Sequence, residues 1–211
     1  MDRVHVIDNP LAKYYLTLLR DRNTRPDKFR EYMRILGNYM GFEISRFLDW
    51  QEISVETPLS TAKGVKPRGK LLIVAILGAS IPMAIGLLET LPWAGLGLVA
   101  ARRIEENNGV RIEVYYKRLP KELTNYTTIV TDPMLATGKT MDVVLSLLEE
   151  SGVKKIIVGT IISSRPGIEY ITTRHPNVDI VTYAIDPILN DKWFIVPGLG
   201  DAGDRSLGVV F

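Results

Sequence analysis

Residues 71–88 run for 18 positions without a charge, the length at which a segment can cross a bilayer as one helix. Gly78-Ala79-Ser80-Ile81-Pro82 stands at the centre of the run. A residue before proline avoids the right-handed helical region, so the run divides. Residues 71–77 read as a strand buried on both faces, and Pro82 opens a helix that reaches about Thr90. A strand buried on both faces needs a parallel sheet with a covering layer on each side. That requirement sets a membrane span aside and narrows the fold more than any other stretch.

From residue 71 onward the chain follows the same grammar. Apolar runs at 97–101, 128–131, 155–162 and 179–185 alternate with stretches at 138–151 and 166–175 that have helical spacing; Met141, Val144, Leu145 and Leu148 form one face of the first. Strand–helix alternation predicts an α/β fold, a central mainly parallel sheet flanked by helices. The first 50 residues read as helical, from Leu11, Tyr14, Tyr15 and Leu18 after Pro10 and from Phe29, Tyr32, Met33, Leu36, Tyr39 and Met40 after Pro26. Asn107-Asn108-Gly109 is a turn signal inside 102–126, which predicts a projecting hairpin arm. No repeat or linker divides the 211 residues, so residues 1–211 are expected to form one domain. The start lacks an apolar leader core, which predicts a cytoplasmic protein. With no cysteine there is no thiolate nucleophile, disulfide or Cys-based zinc site. A net charge of +2 is no nucleic-acid footprint.

Two segments carry chemistry. In Ile129-Val130-Thr131-Asp132-Pro133-Met134-Leu135-Ala136-Thr137-Gly138-Lys139-Thr140 an apolar strand ends on a carboxylate, and a loop of small and hydroxylated residues enters an amphipathic helix. Ligands of parallel sheets bind at this carboxyl edge, and loop N–H groups with a helix N-terminus suit a phosphate monoester. Gly138-Lys139-Thr140 copies the end of a Walker A loop, but Pro133 stands where that motif needs glycine, which argues against a nucleoside-triphosphatase. From shape alone a phosphate site and an ordinary strand–helix connection are equally compatible with this loop. The second segment, Pro197-Gly198-Leu199-Gly200-Asp201-Ala202-Gly203-Asp204-Arg205, lets backbone approach a flat ligand closely. It lacks the ligand spacing and later glutamate of an EF-hand, leaving a binding loop or a surface turn.

Together the two segments resemble uracil phosphoribosyltransferase. Val6-Ile7-Asp8-Asn9-Pro10-Leu11, Phe29-Arg30, Val55-Glu56-Thr57-Pro58-Leu59 and Ile81-Pro82-Met83-Ala84-Ile85-Gly86-Leu87-Leu88 extend the resemblance over nearly the whole chain, with an N-terminal half similar to archaeal members. The resemblance implies the type I phosphoribosyltransferase fold, with a hood (the N-terminal helical part, about 1–60, included) and a β-arm at about 102–126 used in subunit contacts. It implies transfer of phosphoribose from 5-phospho-α-D-ribosyl 1-diphosphate to uracil, giving UMP and diphosphate with Mg2+ in pyrimidine salvage. It further implies a homodimer or homotetramer, GTP activation in some members, and neither nucleic-acid nor membrane partners. Carried over by residue, the loop Asp132, Pro133, Met134, Leu135, Ala136, Thr137, Gly138, Lys139 and Thr140 holds the ribose 5-phosphate, with Asp132 on the ribose hydroxyls. Gly200, Asp201 and Ala202 bind uracil with Ile195 against the ring. Asp201 also lies near the ribose-diphosphate, and Arg103 matches a diphosphate-binding arginine. Asp132 and Asp201 are thus the expected catalytic pair, and magnesium is expected on the diphosphate rather than on protein ligands.

Four positions at three sites depart from the family pattern. Ile76-Leu77-Gly78-Ala79 has glycine where the family has a diphosphate-binding arginine, a loss that Arg102, Arg103 or another subunit would have to offset. Trp193-Phe194 replaces Gly-Tyr at the mouth of the base pocket, and Lys139 stands where relatives have a small residue. The departure at Gly78 leaves open a nucleotide-sensing protein without catalysis, and a transferase for another base is a nearer alternative. Arg102, Lys117 and Arg118 read as solvated arm charges. His5 and His175 lie outside both motifs and are expected to be structural or solvent-facing.

Overall fold

The structure, a computed structural model, describes residues 3–106 and 109–209. The uncharged run divides as its proline demands, into strand β4 (Lys70–Leu77) and helix α3 (Ile81–Thr90). β4 lies between two parallel neighbours, β5 (Gly95–Glu106) and β7 (Tyr126–Thr131). Its side chains alternate between two cores: Leu71, Ile73 and Ala75 join one, and Leu72, Val74 and Ile76 join the other.

β4 is a central strand of the sheet ordered β1-β10-β9-β7-β4-β5-β6, to which β8 (Met134–Leu135) adds beside β9. The other members are β1 (Val4–Val6), β6 (Gly109–Arg118), β9 (Lys155–Ser164) and β10 (Asp179–Asp186). Pairing along this order is parallel except between β5 and β6. Helices α1 (Pro10–Arg20), α2 (Pro26–Ile44) and α3 cover one face, where Phe29, Met33, Leu36 and Met40 of α2 are fully buried against Met83, Ile157 and Ile161. Helices α4 (Lys139–Glu150) and α5 (Arg165–Arg174) cover the other through Val144, Leu145, Leu148 and Ile171.

Two parts of the N-terminal third differ from the helical reading. Val4, His5 and Val6 pair in parallel with Ile180, Val181 and Thr182, so β1 forms an edge of the main sheet. Residues 50–67 form an antiparallel ribbon of β2 (Trp50–Glu56) and β3 (Thr61–Pro67), held at its base by a Trp50–Trp93 edge contact at 5.8 Å. Both faces of the ribbon are largely exposed, so no apolar/polar alternation marks it in the sequence. The N-terminal helices form a core layer of the sheet. The expected arm is the β5–β6 hairpin, paired from Leu98↔Arg118 to Glu106↔Gly109 with a register shift at Ala100/Ala101; Asn107 and Asn108 of its turn signal lie outside the described residues. After β10 the chain makes a small hairpin, β11 (Ile188–Leu189) with β12 (Ile195–Val196), and ends in α6 (Ala202–Leu207). Among the described residues no helix is long and apolar enough to cross a membrane.

Candidate active site

β7 delivers Asp132 to the carboxyl edge of the sheet. The Asp132 N–H donates to the Gly159 carbonyl at 3.2 Å, and its carboxylate accepts the Met134 N–H at 3.3 Å. Asp132 is half-buried at the cleft, and its carboxyl group is pushed up to about 7 because the protein packed around it displaces water; the Met134 N–H and the Arg103 charge oppose that shift without cancelling it. Pro133 is buried beneath the loop, its carbonyl accepting the N–H groups of Ile161 and Ile162 at 3.0 Å each.

The loop then closes on Gly138, which takes φ +79° and caps α4. From below, the Ser164 hydroxyl donates to the Ala136 carbonyl at 2.6 Å and accepts the Gly167 N–H at 2.9 Å. A Cβ on Gly167 would stand 2.2 Å from the Ala136 carbonyl oxygen, so helix α5 reaches the loop only because residue 167 has no side chain. The first turn of α4 is tied to α5 as well: Asp142 accepts Arg174 Nε at 2.7 Å, the Tyr170 hydroxyl at 3.1 Å and bonds His175 Nε2 at 2.9 Å. Burial opposes ionisation of Asp142, but these donors outweigh it and hold the carboxyl below its ordinary range. His175 is buried between Asp142 and Glu149, and His5 is half-buried on Asp179 and Phe47. Both histidines are packed away from the cleft.

The glycine-rich run faces this loop across the cleft. Asp201 caps α6 by accepting the Asp204 N–H at 2.9 Å. Gly198 (φ +59°) and Gly200 (φ +79°) take left-handed backbone conformations that ordinary side chains disfavour. Arginines hold the run from behind. Arg20 gives two bonds of 2.8 Å to Asp186 and one of 2.8 Å to the Gly198 carbonyl, while the Gly198 N–H donates to Asp186 at 2.8 Å. Burial works against the Asp186 charge, yet Arg20 and the Gly198 N–H hold its carboxyl low. Arg205 donates to the carbonyls of Leu19 and Leu199 at 2.6 Å and lies 4.4 Å over the Phe29 ring, and Arg30 donates to the Ser206 carbonyl at 2.7 Å.

One cleft of about 270 Å3 receives both segments. Of the residues singled out in the sequence, Arg103, Asp132, Met134, Leu135, Ala136, Thr137, Gly138, Thr140, Ile195, Gly200, Asp201 and Ala202 line it. Pro133 and Lys139 do not: the first lies under the loop and the second is exposed at the start of α4. Arg102 is bonded to Glu113 at 2.7 Å on the arm, while Arg103, its neighbour on the strand, faces the cleft. Ala79, Lys192, Trp193, Phe194 and Gly203 complete the wall with Met141. Lys192 and the supports Arg20, Asp186, Ser164 and Gly167 escape sequence reasoning: Lys192 stands in an ordinary polar turn, and the supports meet partners distant in the chain.

A phosphate-suited loop at the carboxyl edge of a parallel sheet, with a carboxylate beside it and a flat-ligand loop opposite, defines a class. Adenine phosphoribosyl transferase from Trypanosoma brucei, solved with AMP, pyrophosphate and ribose-5-phosphate, shares this architecture at a TM-score of 0.55 and 14% identity, over 92% of this chain and 88% of that one. The fold is the type I phosphoribosyltransferase fold. The AQ2163 protein from Aquifex aeolicus is far closer in structure, with a TM-score of 0.90 and 30% identity over 98% of each chain. The uracil phosphoribosyltransferase of Aeropyrum pernix is 49% identical over 203 residues, covering 96% of this chain and 94% of its own. Residues 6–208 match the family model for uracil phosphoribosyltransferase, and the chain belongs to that family.

Proposed function

We propose that this cleft carries out the family's reaction: uracil and 5-phospho-α-D-ribosyl 1-diphosphate give UMP and diphosphate. The observation that carries this reading is the convergence of two segments, distant in sequence, on one cleft whose lining includes Asp132. Loop N–H groups from Ala136 to Thr140 hold the 5-phosphate at the start of α4, where the helix dipole favours an anion. Asp132, once ionised, accepts hydrogen bonds from the ribose hydroxyls. Backbone groups of Gly200, Asp201 and Ala202 read the edge of uracil, and buried Ile195 supports its ring. Arg103 draws negative charge onto the departing diphosphate.

Bond exchange at an anomeric carbon develops positive charge on the sugar and negative charge on the leaving group. The protein's work is therefore to align uracil N1, stabilise diphosphate and exclude water. No histidine among the described residues lines the cleft, so alignment rather than proton transfer by imidazole carries the step. Among the described residues no three His, Cys, Asp or Glu side chains gather into a metal-holding set. A magnesium ion would ride on substrate oxygens, with Asp132 and Asp201 as hard oxygen donors nearby. When bound, it neutralises charge on the diphosphate.

Incubation with Mg2+, phosphoribosyl diphosphate and each nucleobase in turn tests the reading. UMP formation with uracil alone is expected; tight nucleotide binding without UMP, or product with another base only, would overturn it. We assign the exposed Tyr115 and Tyr116 of the β5–β6 arm to contacts between copies in a dimer or tetramer. Sedimentation with and without alanine at both positions checks that assignment. GTP as activator rests on the family resemblance, and assays with and without GTP check it. Salvage of a free base and a soluble diphosphate substrate fits work in the cytoplasm.

A further inference from the structure

The loop after β4 gives the cleft no charged side chain. Gly78 is exposed, and a Cβ built there would meet only Leu207 Cδ1 at 3.8 Å, so the backbone leaves room for a side chain that the sequence does not provide. Most nearby cations are committed elsewhere. Arg102 is paired with Glu113, Arg20 with Asp186, and Arg205 with three backbone carbonyls; Lys139 is exposed and does not line the cleft. Among the described residues, the basic side chains that line the cleft are Arg103 and Lys192.

Lys192 sits at the tip of the β11–β12 hairpin, and the turn is built to hold it. The Asn190 side-chain oxygen accepts the N–H groups of Lys192 and Phe194 at 2.9 and 3.0 Å, and Trp193 N–H donates to the Asn190 carbonyl at 2.9 Å. Trp193 takes φ +64°, a left-handed conformation unusual for a bulky residue and kept only where the surroundings enforce it. The result is an exposed lysine on the cleft wall, with an ammonium on a flexible stem and without a described ion-pair partner. With Asp132 and Asp201 ionised, the lining without Lys192 carries one positive charge against two negative, the wrong balance for a polyanionic substrate.

We propose that Lys192 is a diphosphate-binding residue, which supplies from the hairpin tip the cation absent at position 78. The 5-phosphate end of the cleft already has loop N–H groups and a helix start, whereas the leaving-group end has Arg103 alone from the sheet. The proposal rests on the cleft being the phosphoribosyl diphosphate site, and the experiment separates the two. UMP formation by the unaltered protein tests the cleft; titration of inorganic diphosphate, with Mg2+, into Lys192→Gln tests the lysine.

The expected result is about a tenfold rise in the Kd of diphosphate and in KM for phosphoribosyl diphosphate, the scale of one charge-assisted hydrogen bond at a partly exposed site. Uracil KM and ribose 5-phosphate affinity should stay within about twofold, and Lys192→Arg should retain most of the diphosphate affinity because it keeps the charge. Gly78→Arg placed in the Lys192→Gln background should restore diphosphate affinity. Unchanged diphosphate affinity in Lys192→Gln, or a loss confined to uracil or ribose 5-phosphate, overturns the proposal even if the parent makes UMP.

Discussion

The two walls of the cleft are made in different ways. The Asp132–Thr140 wall is internal to the sheet architecture: β7 places Asp132, β9 bonds its backbone, and the neighbouring helix α5 props the loop through Ser164 and Gly167. The Gly198–Arg205 wall depends on contacts that cross nearly the full chain, with Arg20 and Leu19 of α1 gripping Asp186, Gly198 and Arg205. Under the proposed function, the phosphate and ribose common to every reaction of this class lie at the sheet edge, where parallel sheets bind ligands. On that reading the base is the variable part, and the wall proposed for it is assembled from loops fastened by arginines. Such a division allows base preference to change without rebuilding the phosphate site.

Substitutions that strike one wall and spare the other break this contrast most directly. Asp132→Asn should cost about two to three orders of magnitude in kcat/KM, the scale of losing a preorganised contact at the reacting sugar. The pH profile sharpens that prediction. Because the folded carboxyl is raised to about 7, kcat/KM should climb as pH rises through 7, and Asp132→Asn should remove that limb. Stability runs the opposite way: the folded state holds this proton more tightly than the unfolded chain, so stability falls as pH rises from about 4 towards 7. The amide variant should therefore be more stable than the parent at pH 8, by about 1–2 kcal/mol given the partial exposure of the group, and equal to it below pH 4. Thermal melts at the two pH values check both signs.

Arg20→Ala leaves Asp186 buried without its cation and should cost about 2–3 kcal/mol in denaturant unfolding. Its kinetic mark should fall on uracil, with KM for phosphoribosyl diphosphate little changed. Gly167→Ala is the mirror experiment. Its methyl group would push on the Ala136 carbonyl, so KM for phosphoribosyl diphosphate should rise about tenfold while free uracil affinity holds. Equal damage to both substrates by either variant would show that the walls are not separable. The smallest effect is expected from Gly78→Arg in the otherwise unaltered protein, about twofold or less in turnover, since Arg103 and Lys192 already face the leaving group.

The sheet was legible because its strands are buried on both faces. The runs at 71–77, 128–131 and 155–162 have no other way to hide that much apolar surface without covering helices. Asp132 and the loop after it were legible for a related reason, as they stand where such a strand ends. The ribbon 50–67 was not, because a strand pair exposed on both sides leaves no alternation to read. β1 is only three residues long, too short for a period. The clamp residues carry no local pattern at all: Arg20 looks like any basic residue closing a helix, and only its placement beside Asp186 gives it meaning. Lys192 stands in a polar turn, where a lysine is the ordinary expectation, and the left-handed Trp193 beside it is visible only in the backbone.

The pairing of β1 with β10 joins residues about 176 positions apart, and α1, which follows it, carries the clamp on the base loop. During synthesis the phosphate wall can be complete once β9 and α5 have emerged, because its supports end near residue 174. The base wall cannot: its anchor leaves the ribosome among the first twenty residues and waits for partners among the last thirty. A nascent or C-terminally shortened chain would thus lack the contacts that fasten the Gly198–Arg205 wall. Completion of that wall is thereby deferred until the chain is translated almost to its end.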